Sequence, residues 1–165
     1  MSNKALYVMA GYDDKTEKYL SSIQNKLYER GFVGTHTKNL PQHITLESFP
    51  TDKELELKNL LQELSTQIKP FEITFNHIGI FGGSKVLFVA PDTNCKLLEL
   101  KEMFGDSYNW TPHTTMIIDN PDIIFEALPF VMNDFTAFAG KITSLHLYEF
   151  FPTRHILSVE FKREE

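Results

Sequence analysis

Residues 110–118 read Trp110-Thr111-Pro112-His113-Thr114-Thr115-Met116-Ile117-Ile118, and residues 40–46 read Leu40-Pro41-Gln42-His43-Ile44-Thr45-Leu46. Each is a His-x-Thr set among apolar, β-prone residues, with a proline one or two positions before the histidine. On a strand, residues two apart share a face with about 6.6–6.8 Å between their Cα atoms, so His43 stands beside Thr45 and His113 beside Thr115. An imidazole next to a hydroxyl offers a proton-transfer group and a neutral hydrogen-bond donor. Two such strands facing each other can hold a phosphate group from both sides.

A shift of 70 residues carries more than His43 onto His113. It also lays Ile78-Gly79-Ile80-Phe81 on Tyr148-Glu149-Phe150-Phe151, Val86-Leu87 on Ile156-Leu157, and Asp52 on Asp122. Each motif strand is followed by a helix and then a hairpin, and each is preceded by a strand and a helix. Two such units are too few for a solenoid. The expected fold is therefore α+β, with two pseudo-symmetric lobes, each an antiparallel-rich sheet with helices on the outside. They form one bilobal domain over residues 1–165, with a central cleft between the two His-x-Thr strands.

Local signals fill in the elements. Residues 4–10 alternate as a strand. Asp14 with Glu17 has the capping-box pattern, and Tyr19, Leu20, Ile23 and Leu27 recur at helical spacing until Gly31. Residues 32–39 read as a loop. Thr51 with Glu54 forms a second capping box, and Leu57, Leu60, Leu61, Leu64 and Ile68 make one stripe before Pro70. Residues 71–80 alternate and turn at Gly82-Gly83 into residues 85–90, a hairpin. Asp92 caps a third helix with Leu97, Leu100 and Phe104 inward and Gly105 at its end. Asn120-Pro121 opens a fourth, running to Met132, in which Pro129 predicts a kink or two short pieces. Residues 135–151 and 154–162 are two long β-like runs joined by a turn at Pro152-Thr153.

Composition narrows the function. A formal net charge of −6 weighs against coating of long DNA or RNA, which is met by a basic face, but leaves room for a pocket that takes one phosphate. No apolar run reaches the roughly 18–20 residues of a membrane span. The opening Met1-Ser2-Asn3-Lys4 passes straight into a strand without an apolar signal region, so a cytoplasmic protein is expected. The single cysteine, Cys95, excludes an internal disulfide and reads as a buried small residue. Zinc is disfavoured because no Cys/His cluster has ligand spacing and a His-x-Thr strand offers only one good ligand. Gly82-Gly83-Ser84-Lys85 lacks the upstream glycine of a phosphate loop and lies in a hairpin. His36, His77, His146 and His155 lie outside both motifs and read as structural or surface residues.

The paired tetrads His43-Ile44-Thr45-Leu46 and His113-Thr114-Thr115-Met116 resemble those of the 2H phosphoesterase superfamily, also called the 2′-5′ RNA ligase-like or cyclic phosphodiesterase proteins. Pro112 and the Phe81-Gly82-Gly83 hairpin add to the resemblance, which spans nearly the whole chain. It implies a bilobal fold and a cofactor-free phosphoesterase. His43 and His113 would be its catalytic acid and base, and Thr45 and Thr115 would bind the non-bridging phosphate oxygens. The substrate implied is a 2′,3′-cyclic or 2′-5′ phosphodiester in a nucleotide or RNA end. Neither DNA nor a membrane is an expected partner, and a monomer is expected. Near neutral pH one imidazole can be neutral and the other protonated, so no metal is required. Tyr7, Phe81, Trp110 and Tyr148 are candidate contacts for a base beside the phosphate, against the plainer reading of each as core or rim packing. The alternatives are a non-catalytic module that binds nucleotides or RNA ends, and a 2′-5′ RNA ligase. Ile118 stands where ligase-like bacterial members often carry a basic residue, which favours hydrolysis.

Overall fold

Seven strands and four helices alternate along the chain in a computed structural model that describes residues 3–163. In order they are β1 (Ala5–Tyr12), α1 (Asp14–Glu29), β2 (His43–Phe49), α2 (Glu54–Gln67), β3 (Phe71–Ile80), β4 (Val86–Pro91), α3 (Cys95–Glu102), β5 (Thr114–Ile118), α4 (Pro121–Asp134), β6 (Phe138–Phe150) and β7 (Arg154–Glu160). All strand pairs are antiparallel, in the order β2-β1-β6-β3-β4-β5, with β7 on β6.

The long strands β3 and β6 make the two lobes. Their first halves pair with each other, from Phe71↔Ile142 to Phe75↔Phe138. At opposite ends of this stretch they part: past Phe75, β3 goes on to pair with β4, and past Ile142, β6 goes on to pair with β1. The triplets β2-β1-β6 and β5-β4-β3 are thus matching halves of one sheet. Phe75 sits where β3 leaves β6, fully buried, with its ring stacked on Phe138 at 5.0 Å and edge-on to Tyr12 at 5.6 Å.

Alternation decides which face of the first lobe is apolar. Leu6, Val8 and Ala10 of β1, Ile44 and Leu46 of β2, and Leu145 and Leu147 of β6 join one core cluster with Leu20, Ile23 and Leu27 of α1 and Leu57, Leu61 and Leu64 of α2. The opposite face carries Tyr7, Met9 and Gly11 of β1 beside Thr45 and His43 of β2 and Tyr148, His146 and Ser144 of β6. The sheet also curls until its end strands meet. Thr114 Oγ1 of β5 donates to the His43 carbonyl at 3.0 Å, and Trp110 Nε1 donates to the Thr45 carbonyl at 3.2 Å. This closure brings both motifs to one place.

Several local expectations are corrected by the structure. Asp13, not Asp14, caps α1 by accepting from the Thr16 amide, and α2 starts after a 3-10 turn at Thr51–Lys53 with no side-chain cap. Asn94 rather than Asp92 caps α3. Pro129 does not break α4: it faces solvent, where water can satisfy the carbonyl its missing N–H leaves free. The β3–β4 and β6–β7 hairpins, equated by the 70-residue shift, lie differently. β4 fills the place that matches β1, whereas β7 lies on the side of β6 away from β1. Cys95, read as buried, is exposed at the start of α3. Among the described residues no helix is long and apolar enough to cross a membrane, and no cluster of three or more His, Cys, Asp or Glu could hold a metal ion.

Candidate active site

His43 opens β2, and His113 immediately precedes β5, one residue outside the strand in which its motif was expected. Both rings are anchored in the same way. His43 Nδ1 lies 2.7 Å from the Pro41 carbonyl, and His113 Nδ1 lies 2.8 Å from the Thr111 carbonyl. A carbonyl can only accept, so each Nδ1 carries the proton, and each Nε2 is left for other partners. Burial is the main cause that pulls both imidazoles below the usual histidine value, and for His43 the nearby His113 adds to it.

A cavity of about 230 Å³ opens where the lobes meet, lined by His43, Thr45, Thr114 and Thr115 from the two motifs. Tyr7, Met9, Phe150 and Phe151 wall one end; Gln24, His36, Thr37, Leu40 and Gln42 wall the other, and Ile118 also lines it. Among the described residues the lining contains no lysine, arginine, aspartate or glutamate, and its imidazoles are those of His36 and His43. His36, read as structural or surface, lies in this wall with Nε2 2.6 Å from the Tyr28 hydroxyl, and burial holds its pKa down to about 4.

Of the candidate aromatic contacts, the structure places only Tyr7 in the cavity wall, edge-on to Phe150 at 5.3 Å. Phe81 packs edge-on against the His113 ring at 4.7 Å and does not line the cavity. Trp110 lines a neighbouring hollow and ties the end strands together through its indole N–H. Tyr148 stacks on Phe150 at 5.9 Å. Phe150 and Phe151 carry no signal in the sequence, because a hydrophobic strand end followed by a turn looks the same whether it closes a core or rims a cavity.

Three further residues position the motifs. Glu17, expected to reach back to its own helix cap, instead accepts the Gln42 amide at 2.9 and 3.0 Å, just ahead of His43. Gln24 takes the Gln42 side-chain amide at 2.8 Å and donates to the Met116 carbonyl at 2.9 Å, joining both motif segments to α1. Thr114, the middle residue of the second motif, is buried with its hydroxyl between the Tyr12 hydroxyl, 2.6 Å away, and the His43 carbonyl. Thr114 donates to the carbonyl, so it accepts from Tyr12. Thr114→Val keeps the shape and leaves two buried polar groups unpaired, an expected loss of about 1–3 kcal/mol. Turnover is expected to drop about tenfold, since a 1 Å misplacement can cost about 10²-fold. Denaturant melts and steady-state rates check this, with Thr114→Ser expected to keep both properties.

Residues 13–150 match the family description of the 2′-5′ RNA ligase superfamily. No curated protein sequence is a significant match. Solved structures with the same fold include Escherichia coli LigT complexed with ATP, at a TM-score of 0.61 and 16% identity over 96% of this chain and 98% of LigT. A Thermus thermophilus protein superposes at a TM-score of 0.63 with 14% identity over 98% of this chain and all (100%) of its own. A structure described as a phosphoesterase matches at a TM-score of 0.57 and 15% identity, over 96% of this chain and 99% of its own.

Proposed function

Because the chain belongs to the 2′-5′ RNA ligase superfamily, we propose that it is a metal-independent phosphoesterase that cleaves a 2′,3′-cyclic or 2′-5′ phosphodiester in a nucleotide or RNA end. The observation that carries this reading is the matched pair of imidazoles, each held through Nδ1–H by a backbone carbonyl two residues back, at the meeting edge of the two lobes. A structural histidine has no need of such an arrangement twice over, with both Nε2 atoms left for proton transfer. The nucleotides with which LigT is complexed, ATP and 3′-AMP, support a nucleotide as the ligand.

In the hydrolytic direction His43 is the base. Burial disfavours the charged form of both rings, and His43 is the one of the two that lines the cavity. His43 Nε2 takes a proton from water as the water oxygen bonds to phosphorus. The bond from phosphorus to the ribose oxygen breaks, and His113 Nε2 gives its proton to that oxygen. Thr45 and Thr115 donate to the non-bridging oxygens, where charge grows in the transition state. Tyr7 and the Phe150-Phe151 rings offer a face to the base.

The productive form holds one proton on the pair. Below the lower apparent pKa both rings are charged and the base is lost; above the upper one both are neutral and the acid is lost. Since both imidazoles are pulled below about 6.5, kcat/KM for a 2′,3′-cyclic nucleotide is expected to be bell-shaped with its maximum on the acid side of pH 6.5. EDTA is expected to leave it unchanged. A rate that climbs steadily to pH 9, or one abolished by chelator, contradicts the two-imidazole mechanism. Binding detected by ligand-induced melting shifts without turnover would point to a nucleotide-binding module instead.

A further inference from the structure

A third imidazole lies next to His43. Gly11 pairs with His43 across β1 and β2 and with Ser144 across β1 and β6, so position 11 faces the cleft alongside His43. A Cβ at Gly11 would collide with Ser144 Oγ and His146 Nε2. The missing side chain is what admits the His146 ring over the floor strand. Burial, with His43 and His155 nearby, holds the His146 pKa down to about 4, so the ring is neutral near pH 7.

The other nitrogen of His146 is held by a relay to the surface. His146 Nδ1 lies 2.7 Å from Ser158 Oγ, and His155 Nε2 lies 2.7 Å from the same oxygen. A serine hydroxyl has one proton, so it donates to one ring and accepts from the other. When the exposed His155 donates to Ser158, Ser158 donates to His146 Nδ1. The His146 proton then sits on Nε2, a neutral donor beside the base. The matching place in the second lobe is apolar: a Cβ at Gly79 would strike the Phe88 ring, and Phe81 and Phe88 pack on His113. His43 thus has a second polar nitrogen at its side, where His113 is flanked by the Phe81 and Phe88 rings.

We propose that His146 is a catalytic residue that holds the attacking water together with His43, giving water preference over an alcohol or a second sugar hydroxyl. This rests on the phosphoesterase reading above and specifies its nucleophile. The water donates one proton to His43 Nε2 and accepts from His146 Nε2–H, which leaves a lone pair for phosphorus. The new bond joins the water oxygen to phosphorus, and the bond to the ribose oxygen breaks. The transferred water proton ends on His43 and the His113 proton on the leaving oxygen, while His146 keeps its own. The His146 ring also walls the position, so the carbon of an alcohol is crowded there.

Turnover of 2′,3′-cyclic AMP in water and in dilute methanol tests this, with the product ratio of nucleotide methyl ester to free nucleotide read alongside kcat. His146→Ala is expected to lower kcat about tenfold with KM within about threefold, the pattern of an interaction made in the transition state. Its methyl ester ratio is expected to rise at least about threefold, because the methyl carbon gains the room the ring occupied. His146→Gln, which keeps an N–H donor of similar reach, is expected to lose less of kcat than His146→Ala and to raise the ratio less. Should His146→Ala fold poorly, Ser158→Ala removes only the orienting hydroxyl and is expected to raise the ratio in the same direction. An unchanged kcat, or a loss of rate at a constant product ratio, overturns the proposal. A parent protein with no turnover in either medium overturns the phosphoesterase reading beneath it.

Discussion

His43→Ala and His113→Ala are each expected to lower kcat for a 2′,3′-cyclic nucleotide by about 10²–10⁴-fold, the usual contribution of a positioned acid or base. Each ring is fixed by its Nδ1–H bond to the carbonyl of Pro41 or Thr111, and the two chain segments are tied by the Thr114 hydroxyl on the His43 carbonyl. Neither imidazole can stand in for the other, because one must take a proton while the other gives one. They act as a unit, so the double variant is expected to fall little below the worse single variant. Binding of a non-hydrolysed nucleotide should change far less than kcat, as Thr45, Thr115 and the aromatic wall remain. Steady-state rates with melting curves check the set; either single variant within about threefold of the parent would remove that histidine from the mechanism.

Phe75→Ala is expected to destabilise the chain by about 3–5 kcal/mol, the range for truncating a fully buried aromatic residue. Phe75 pairs with Phe138 on one side of β3 and with Pro91 on the other, where β3 leaves β6. Its ring is packed by Phe138 and Tyr12. The cavity would also loosen Tyr12, whose hydroxyl holds Thr114 and through it His43. Activity of the folded fraction is therefore expected to fall as well, which a remote core truncation would not cause. Urea unfolding supplies the first quantity and active-site rates the second. Phe75→Leu should lose less of both, and a cost under about 1 kcal/mol for alanine would contradict the junction's role.

The two His-x-Thr segments are legible in the sequence because strand periodicity puts a histidine and a threonine on one face wherever the strand is placed. The helices are legible too, from stripes such as Leu57, Leu61 and Leu64. What periodicity does not encode is which strand lies beside which. The shift of 70 residues matches the hairpins by order, yet β4 and β7 take different neighbours, since pairing depends on where β3 and β6 diverge. The meeting of β2 with β5 is hidden for the same reason, and with it the role of Thr114. Glu17 fits a capping pattern but finds the Gln42 amide, because a carboxylate satisfies whichever unpaired N–H the tertiary fold presents. His146 looks ordinary in the sequence since its place depends on the absence of a side chain at Gly11, which is far away in the chain and adjacent only once β1 pairs with β6.

The most direct test of the two-histidine phosphoesterase is ³¹P NMR of a 2′,3′-cyclic nucleotide incubated with the purified protein in EDTA, with His43→Ala in parallel. The two-imidazole mechanism predicts conversion of the cyclic phosphate to a single monoester by the parent and a persistent cyclic signal with the variant. A cyclic signal that persists with the parent, or conversion that survives in His43→Ala, would contradict it.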